Sequence, residues 1–206
     1  QNTRDINNLM GSIKYLESNT QVQIGKIVQY LQDNQYINTE TNKLLKKGIM
    51  ASTGSLGHGL GIASGMALAN RHTKCFYVVM SDGELQEGSV WEAALIIGAL
   101  KLSNVVVVID NNDLQSSTRA TDTHPNLYPI ENKFKEFGWN VGSCNGHSAK
   151  EIYGNITKRK KDKPFALIAR TIKGFPVSFM KNIPMWHYRS PNKEELTKAI
   201  NEISST

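Results

Sequence analysis

Five branched residues in a row, Val105-Val106-Val107-Val108-Ile109, constrain this chain more than any other feature. Branched side chains favour strands, and an unbroken apolar run reads as a strand buried on both faces. Such a strand needs helices above and below it, which a parallel α/β sheet supplies. Cys75 to Met80 is a second short apolar run, expected as a buried strand and closed by Ser81-Asp82-Gly83. Trp139 to Cys144 and Phe165 to Arg170 read as further strands. Between them, Val90 to Leu100, Ile130 to Phe137 and Ala149 to Arg159 read as helices. The first is apolar on nearly every side, so it should pack between the sheet and a second surface. Another helix should run to about Ala69, with Ile62, Met66 and Ala69 on one face. Thr121 to Pro129 reads as irregular loop and Lys173 to Tyr188 as extended surface loop. A last helix should open at Pro191 or Asn192, with Leu196 and Ile200 inward. The expected fold class is α/β: an open, mostly parallel sheet with helices on both faces.

The first fifty residues differ from the rest. They hold no proline and are rich in Asn, Gln and Lys. Ile6, Leu9, Ile13 and Leu16 recur at helical spacing, as do Ile24, Ile27, Val28 and Leu31, and Thr41 to Lys47 suits a third short helix. The expected organisation is a helical segment over 1–50 and an α/β domain over 51–206.

Composition excludes several classes. Cys75 and Cys144 are too few for a disulfide framework, which points to a reducing, cytoplasmic setting. No apolar stretch approaches the roughly 18 residues of a membrane span, and no leader is visible. The net charge is +6, with its densest run at Lys158-Arg159-Lys160-Lys161. Lysines suit a helix end, and no nucleic-acid-binding motif accompanies them.

In open parallel sheets, ligands sit beyond the carboxyl ends of the strands. Two polar clusters fall there. Asp82 closes one strand and Asn112 lies just past the next, 30 positions later. A strand–helix–strand unit returns the chain to the same edge, so the two can meet. A carboxylate, an amide oxygen and a nearby backbone carbonyl are hard ligands, suited to Mg²⁺ or Ca²⁺ that also holds a diphosphate. Gly83 would let backbone approach a phosphate. The plainer alternative is an Asp that caps the helix near Glu84 and an Asn in a turn. The run from Gly54 to Gly61 has neither the Walker ending nor the dinucleotide spacing. His72, His124 and His147 share no metal-ligand spacing, and no Gly-x-Ser-x-Gly elbow is present. His187, beside Trp186, could approach a substrate or phosphate.

Three segments together carry a resemblance. They are Ala51-Ser-Thr-Gly-Ser-Leu-Gly-His-Gly-Leu-Gly61, then Ser81-Asp-Gly-Glu-Leu-Gln-Glu-Gly-Ser-Val-Trp-Glu-Ala-Ala94, then Asp110-Asn-Asn-Asp-Leu-Gln115. With Phe137-Gly-Trp, Thr171-Ile-Lys-Gly and Trp186-His187, they resemble transketolases over roughly residues 48 to 200. The likeness is to the thiamine-diphosphate-binding domain, in particular the amino-terminal subunit of split transketolases. The resemblance implies that Asp82 and Asn112 hold the metal through side chains and Leu114 through its carbonyl. Gly83 would contact the diphosphate with Glu84 beside it, and Gly54, Ser55 and Leu56 would border the cofactor. His187 would act catalytically near the diphosphate and substrate, and Glu87 and Glu92 would lie near an interface between domains. The implied activity is transfer of a two-carbon ketol unit between sugar phosphates, with thiamine diphosphate and Mg²⁺ as cofactors. The implied partner is a carboxy-terminal subunit carrying the pyrimidine-binding domain, in a hetero-oligomer that engages neither nucleic acid nor membrane.

Two departures stand out. Ser81 replaces the first glycine of the family's usual Gly-Asp-Gly. The family's upstream Lys-Gly-His and Gly-His-Pro segments are absent from this sequence. Two alternatives follow: a noncatalytic relative serving as an interaction module, or another thiamine-diphosphate enzyme of specialised sugar metabolism.

Overall fold

In a computed structural model the described residues are 50–71 and 73–205. The helices expected before Met50 lie outside them, as does His72. From Thr53 onward the chain forms one unit.

The main sheet has four parallel strands, β1 (Phe76–Ser81), β2 (Val105–Asn111), β5 (Asn140–Asn145) and β6 (Phe165–Arg170), in the order β1-β2-β6-β5. A two-stranded antiparallel ribbon, β3 (Leu114–Gln115) with β4 (Thr118–Arg119), follows β2. The helices are α1 (His58–Ala69), α2 (Gly88–Ala99), α3 (Ala120–Thr123), α4 (Ile130–Glu136), α5 (Ala149–Lys158) and α6 (Lys193–Ser204).

Strand alternation divides the core in two. Val105, Val107 and Ile109 of β2 face α1, α2 and α4, together with Val78, Met80, Ala166 and Ile168. Val106 faces the other way, with Cys144, Phe165, Leu167 and Ala169, and is covered by Ile152 and Ile156 of α5. The second layer is short. It leaves Tyr77 and Val79 of β1 exposed, Val79 by 76%. The strand expected to be buried is therefore buried on one face only, because β1 is an edge strand of the sheet.

Other expectations also need correction. The residues that α1 buries are Leu60, Ala63 and Ala67, so the face shared by Ile62, Met66 and Ala69 is not the buried one. The helix begins at His58, inside the glycine run, and Gly59 sits over Val78, which sets its rotation. In α6 the inward residue is Ala199, while Leu196 and Ile200 are 48% and 53% exposed. The small Ala199 lets the helix lie close, so the larger side chains flank the contact. The stretch from Thr121 to Pro129 is not irregular throughout: it holds the end of α3 and a 3₁₀ turn at Pro125–Leu127. The start of α6 is as expected, with Asn192 capping Glu195 in a reciprocal capping box.

Two glycines decide close approaches. A Cβ on Gly98 would stand 1.9 Å from the Phe137 carbonyl oxygen, so α2 meets the α4–β5 turn only through glycine. Trp139 closes the same contact, its indole N–H donating to the Ala94 carbonyl at 2.9 Å. Gly57 has φ of 80°, and a Cβ there would stand 2.4 Å from Ser89 Oγ.

Candidate functional site

Three parallel strands end side by side. Ser81 pairs with Asp110 and Asn111 with Arg170. The ladder continues as the Asp82 N–H donates to the Asp110 carbonyl and the Thr171 N–H to the Asn111 carbonyl. β2 thus extends two residues past the Ile109 end that its apolar run marks. That extension decides which side chains share a face. Asn111 turns with Ile109 to the side of Asp82, while Asp110 turns with Val108 to the opposite side.

Asp82 is completely buried. Its Oδ1 accepts from the Gly83 N–H at 2.9 Å. Its Oδ2 accepts from the Asn111 amide at 2.9 Å and from the N–H groups of Asn112 and Asp113 at 3.1 and 2.6 Å. The Tyr128 hydroxyl donates from 3.4 Å. Burial pushes the carboxyl above its ordinary range, although these hydrogen bonds pull the other way. Burial also raises the Tyr128 phenol, and the charges of Asp82 and Asp113 raise it further. Among the described residues, no Lys or Arg forms an ion pair with Asp82. Among the described residues, only dipoles hold this buried carboxyl group.

Asn112 touches Asp82 through its backbone. Its side-chain amide donates to Asp110 Oδ2 at 3.2 Å and accepts the Leu114 N–H at 3.0 Å. Asp110 also takes the Thr171 hydroxyl. Asn112 and Asp110 line a cleft of roughly 420 Å³ with His147, Gly146, Thr171 and Lys173, on the α5 side of the sheet. There the His147 Nε2 accepts the Ile172 N–H at 2.8 Å, and its ring packs against Phe175. That bond assigns Nε2 as the unprotonated nitrogen.

The glycine-rich run meets the same tip. Glu84 Oε1 accepts the Gly57 N–H at 2.9 Å, and Ser89 Oγ donates to the Gly57 carbonyl. Gly54, Ser55 and Leu56 precede this tie and are exposed. Gly83 lies against Gln115, where a Cβ would come within 3.0 Å. Ser81 has a definite job in place of glycine: its Oγ accepts the Glu84 N–H at 3.1 Å and caps the turn. His187 lies in the 3₁₀ turn Pro184–His187, exposed, with its Nδ1 2.9 Å from Lys173 Nζ. Lys173 joins the cleft to that turn. Glu87 and Glu92 lie exposed on or beside α2.

From the sequence, no individual role fell to Asn111, Asp110, Tyr128 or Lys173, although three of them lie inside quoted motifs. Asn111 and Asp110 could have been found by counting strand alternation past Ile109. Lys173 follows the tip of β6, which is itself a ligand-facing end. Nothing local marks Tyr128, which arrives from 46 residues away.

Comparison with known proteins agrees with the fold. The family model described as transketolase, thiamine diphosphate binding domain, matches residues 7–203. An apulose-4-phosphate transketolase subunit from Phocaeicola vulgatus is 40% identical over 163 residues, covering 76% of this chain and 57% of that protein. A 6-deoxy-6-sulfo-D-fructose transketolase subunit from a Clostridium species is 35% identical over 161 residues, covering 76% and 58%. The chain thus spans under two thirds of the length of these subunits. The crystal structure of transketolase from Campylobacter jejuni superposes with a TM-score of 0.63 at 25% identity, over 76% of this chain and 26% of that one. Among the described residues, no helix is long and apolar enough to cross a membrane.

Proposed function

Because the chain belongs to the transketolase family through its thiamine-diphosphate-binding domain, we propose that it serves as the diphosphate-binding part of a two-component transketolase. That enzyme moves a two-carbon ketol unit between sugar substrates. The observation that carries this reading is Asp82: a buried carboxylate at a strand tip, without a cationic partner among the described residues. A buried anion is costly unless a cation joins it. The adjoining donor set suits a hard ion, with the Asp82 carboxylate, the Asn112 amide oxygen and the Leu114 carbonyl as candidates for Mg²⁺ or Ca²⁺. The residues fit on one condition: the Asn112 amide must turn from Asp110 toward Asp82.

Thiamine diphosphate, when bound, supplies the electron sink that ketol transfer needs. The chain's own residues would position it. Asp82 and Asn112 would hold the cation that neutralises the diphosphate. Gly83 would contact the diphosphate, and Glu84 fixes the turn after β1 through its bond to Gly57. Gly54, Ser55 and Leu56 would border the cofactor. Lys173, which lines the cleft, and His187 form a polar pair suited to phosphate oxygens, and His187 would act on the substrate. A separate carboxy-terminal subunit with the pyrimidine-binding domain completes the site as a hetero-oligomer in the cytoplasm.

The relatives act on different sugars by their names, so the proposal stops at a ketose donor and an aldehyde acceptor. The test is co-expression with a pyrimidine-domain subunit, then calorimetry with thiamine diphosphate and Mg²⁺ and a ketol-transfer assay over phosphorylated and modified sugars. Cation-dependent binding with transfer supports the proposal, and absence of binding refutes it. The second reading is a noncatalytic module that keeps the fold. Binding without transfer to any acceptor selects it.

A further inference from the structure

Asn111 is the strand-tip side chain outside the proposed cation set. It ends β2, half-buried, and its amide Nδ2 donates to Asp82 Oδ2 at 2.9 Å. The other contacts of that oxygen are also donors, the N–H groups of Asn112 and Asp113 and the more distant Tyr128 hydroxyl. The two backbone donors are fixed by the turn that follows the strand. Asn111 differs from them, because a side-chain amide can rotate away without moving the backbone.

We propose that Asn111 is a placeholder for the divalent cation: its amide donates to Asp82 in the metal-free chain and is displaced when the cation binds. This rests on the reading of Asp82 as a cation ligand. The proposal needs the cation on Oδ2, the oxygen that the Asn111 amide holds, so that amide hydrogen and cation compete for it. An amide carries only a partial positive charge, so the cation wins when present and the amide holds the site when it is absent. Asn111 therefore stabilises the metal-free state alone, and by linkage it weakens apparent cation affinity. In return, the buried carboxylate has a side-chain partner while the chain folds before loading.

The test uses the full chain in Asn111→Leu and Asn111→Ser forms. Leu keeps the volume without a donor, and Ser shortens the donor out of reach while remaining polar enough to fold. Melting temperature is measured with and without saturating Mg²⁺ and thiamine diphosphate, and the Mg²⁺ dissociation constant by calorimetry. The expected result is a lower melting temperature without the cation and an unchanged one with it. The cation-induced shift then widens, and the dissociation constant tightens roughly tenfold, the scale of one hydrogen bond to a charged acceptor. Equal losses with and without Mg²⁺, at unchanged affinity, make the bond merely structural and overturn the proposal. Weaker Mg²⁺ binding makes Asn111 a ligand and also overturns it. If wild type shows no Mg²⁺-dependent shift at all, the Asp82 reading fails first and takes this inference with it.

Discussion

Replacing Asp82 in two ways separates its role as a charge from its role as an acceptor. Asp82→Ala strips the acceptor from four N–H groups, those of the Asn111 side chain and the Gly83, Asn112 and Asp113 backbones, and from the more distant Tyr128 hydroxyl. Leaving buried donors unpaired costs about 1–3 kcal/mol each, so the total is on the order of 4 kcal/mol once some donors find water. Asp82→Asn is milder. An oxygen at the Oδ2 position keeps the Asn111, Asn112 and Asp113 donors, and only the amide at Oδ1 faces the Gly83 N–H. Its cost is the difference between charged and neutral acceptors, about 1 kcal/mol, partly offset by removing a buried charge. The two variants should therefore differ by roughly 3 kcal/mol in urea unfolding, while both lose cation binding. The pH dependence carries the sign. Burial holds the folded carboxyl above its ordinary value of 3.8, so the folded metal-free chain binds its proton more readily than the unfolded chain. Its contribution to stability is then greatest below 3.8 and declines as pH rises through the raised value. Asp82→Asn should flatten that slope, and Mg²⁺ should reverse it by holding the carboxylate ionised. Equal destabilisation by Ala and Asn, or wild-type Mg²⁺ affinity in either, would refute the reasoning.

Three more substitutions probe separate parts of the account. Gly98→Ala drives a methyl into the Phe137 carbonyl and should cost roughly 3 kcal/mol by thermal unfolding, at the top of the overpacking range. Asn192→Ala breaks the capping box of α6 and should cost about 1 kcal/mol, seen as reduced helical circular dichroism near the melting transition. Lys173→Met removes the cation beside His187. It should leave stability within about 0.5 kcal/mol yet weaken thiamine diphosphate binding roughly fivefold to tenfold, the scale of one charged hydrogen bond. An unchanged affinity there would detach Lys173 from the site.

Much of the fold was legible because parallel strands are written as apolar runs. Phe165–Arg170 matches its expected bounds residue for residue, since Pro164 stops the run at one end and Arg170-Thr171 at the other. β2 was harder. Its last two residues, Asp110 and Asn111, are polar yet still paired in the ladder, because strand tips at a ligand-binding edge carry polar side chains. Ending the strand at Ile109 hid the alternation that sends Asn111 toward Asp82 and Asp110 toward the cleft. The sequence could bring Asp82 and Asn112 to one edge, but not say which atoms of Asn112 face the carboxylate. Helix faces failed for a related reason. Leu196 and Ile200 are the larger side chains, but Ala199 makes the contact. Periodicity finds an apolar stripe, while close packing selects its smallest member. Tyr77 and Val79 read as core because residue type alone does not reveal a sheet's edge.

The measurement that bears most directly on the whole account is a crystal structure grown with Mn²⁺ and thiamine diphosphate, with anomalous data collected at the manganese edge. The account predicts a single anomalous peak at the tips of β1 and β2, about 2.0–2.2 Å from oxygens of Asp82 and Asn112, with the Asn111 amide rotated off the carboxylate. A peak elsewhere, or clear cofactor density with Asp82 still bonded only to N–H groups, would contradict it.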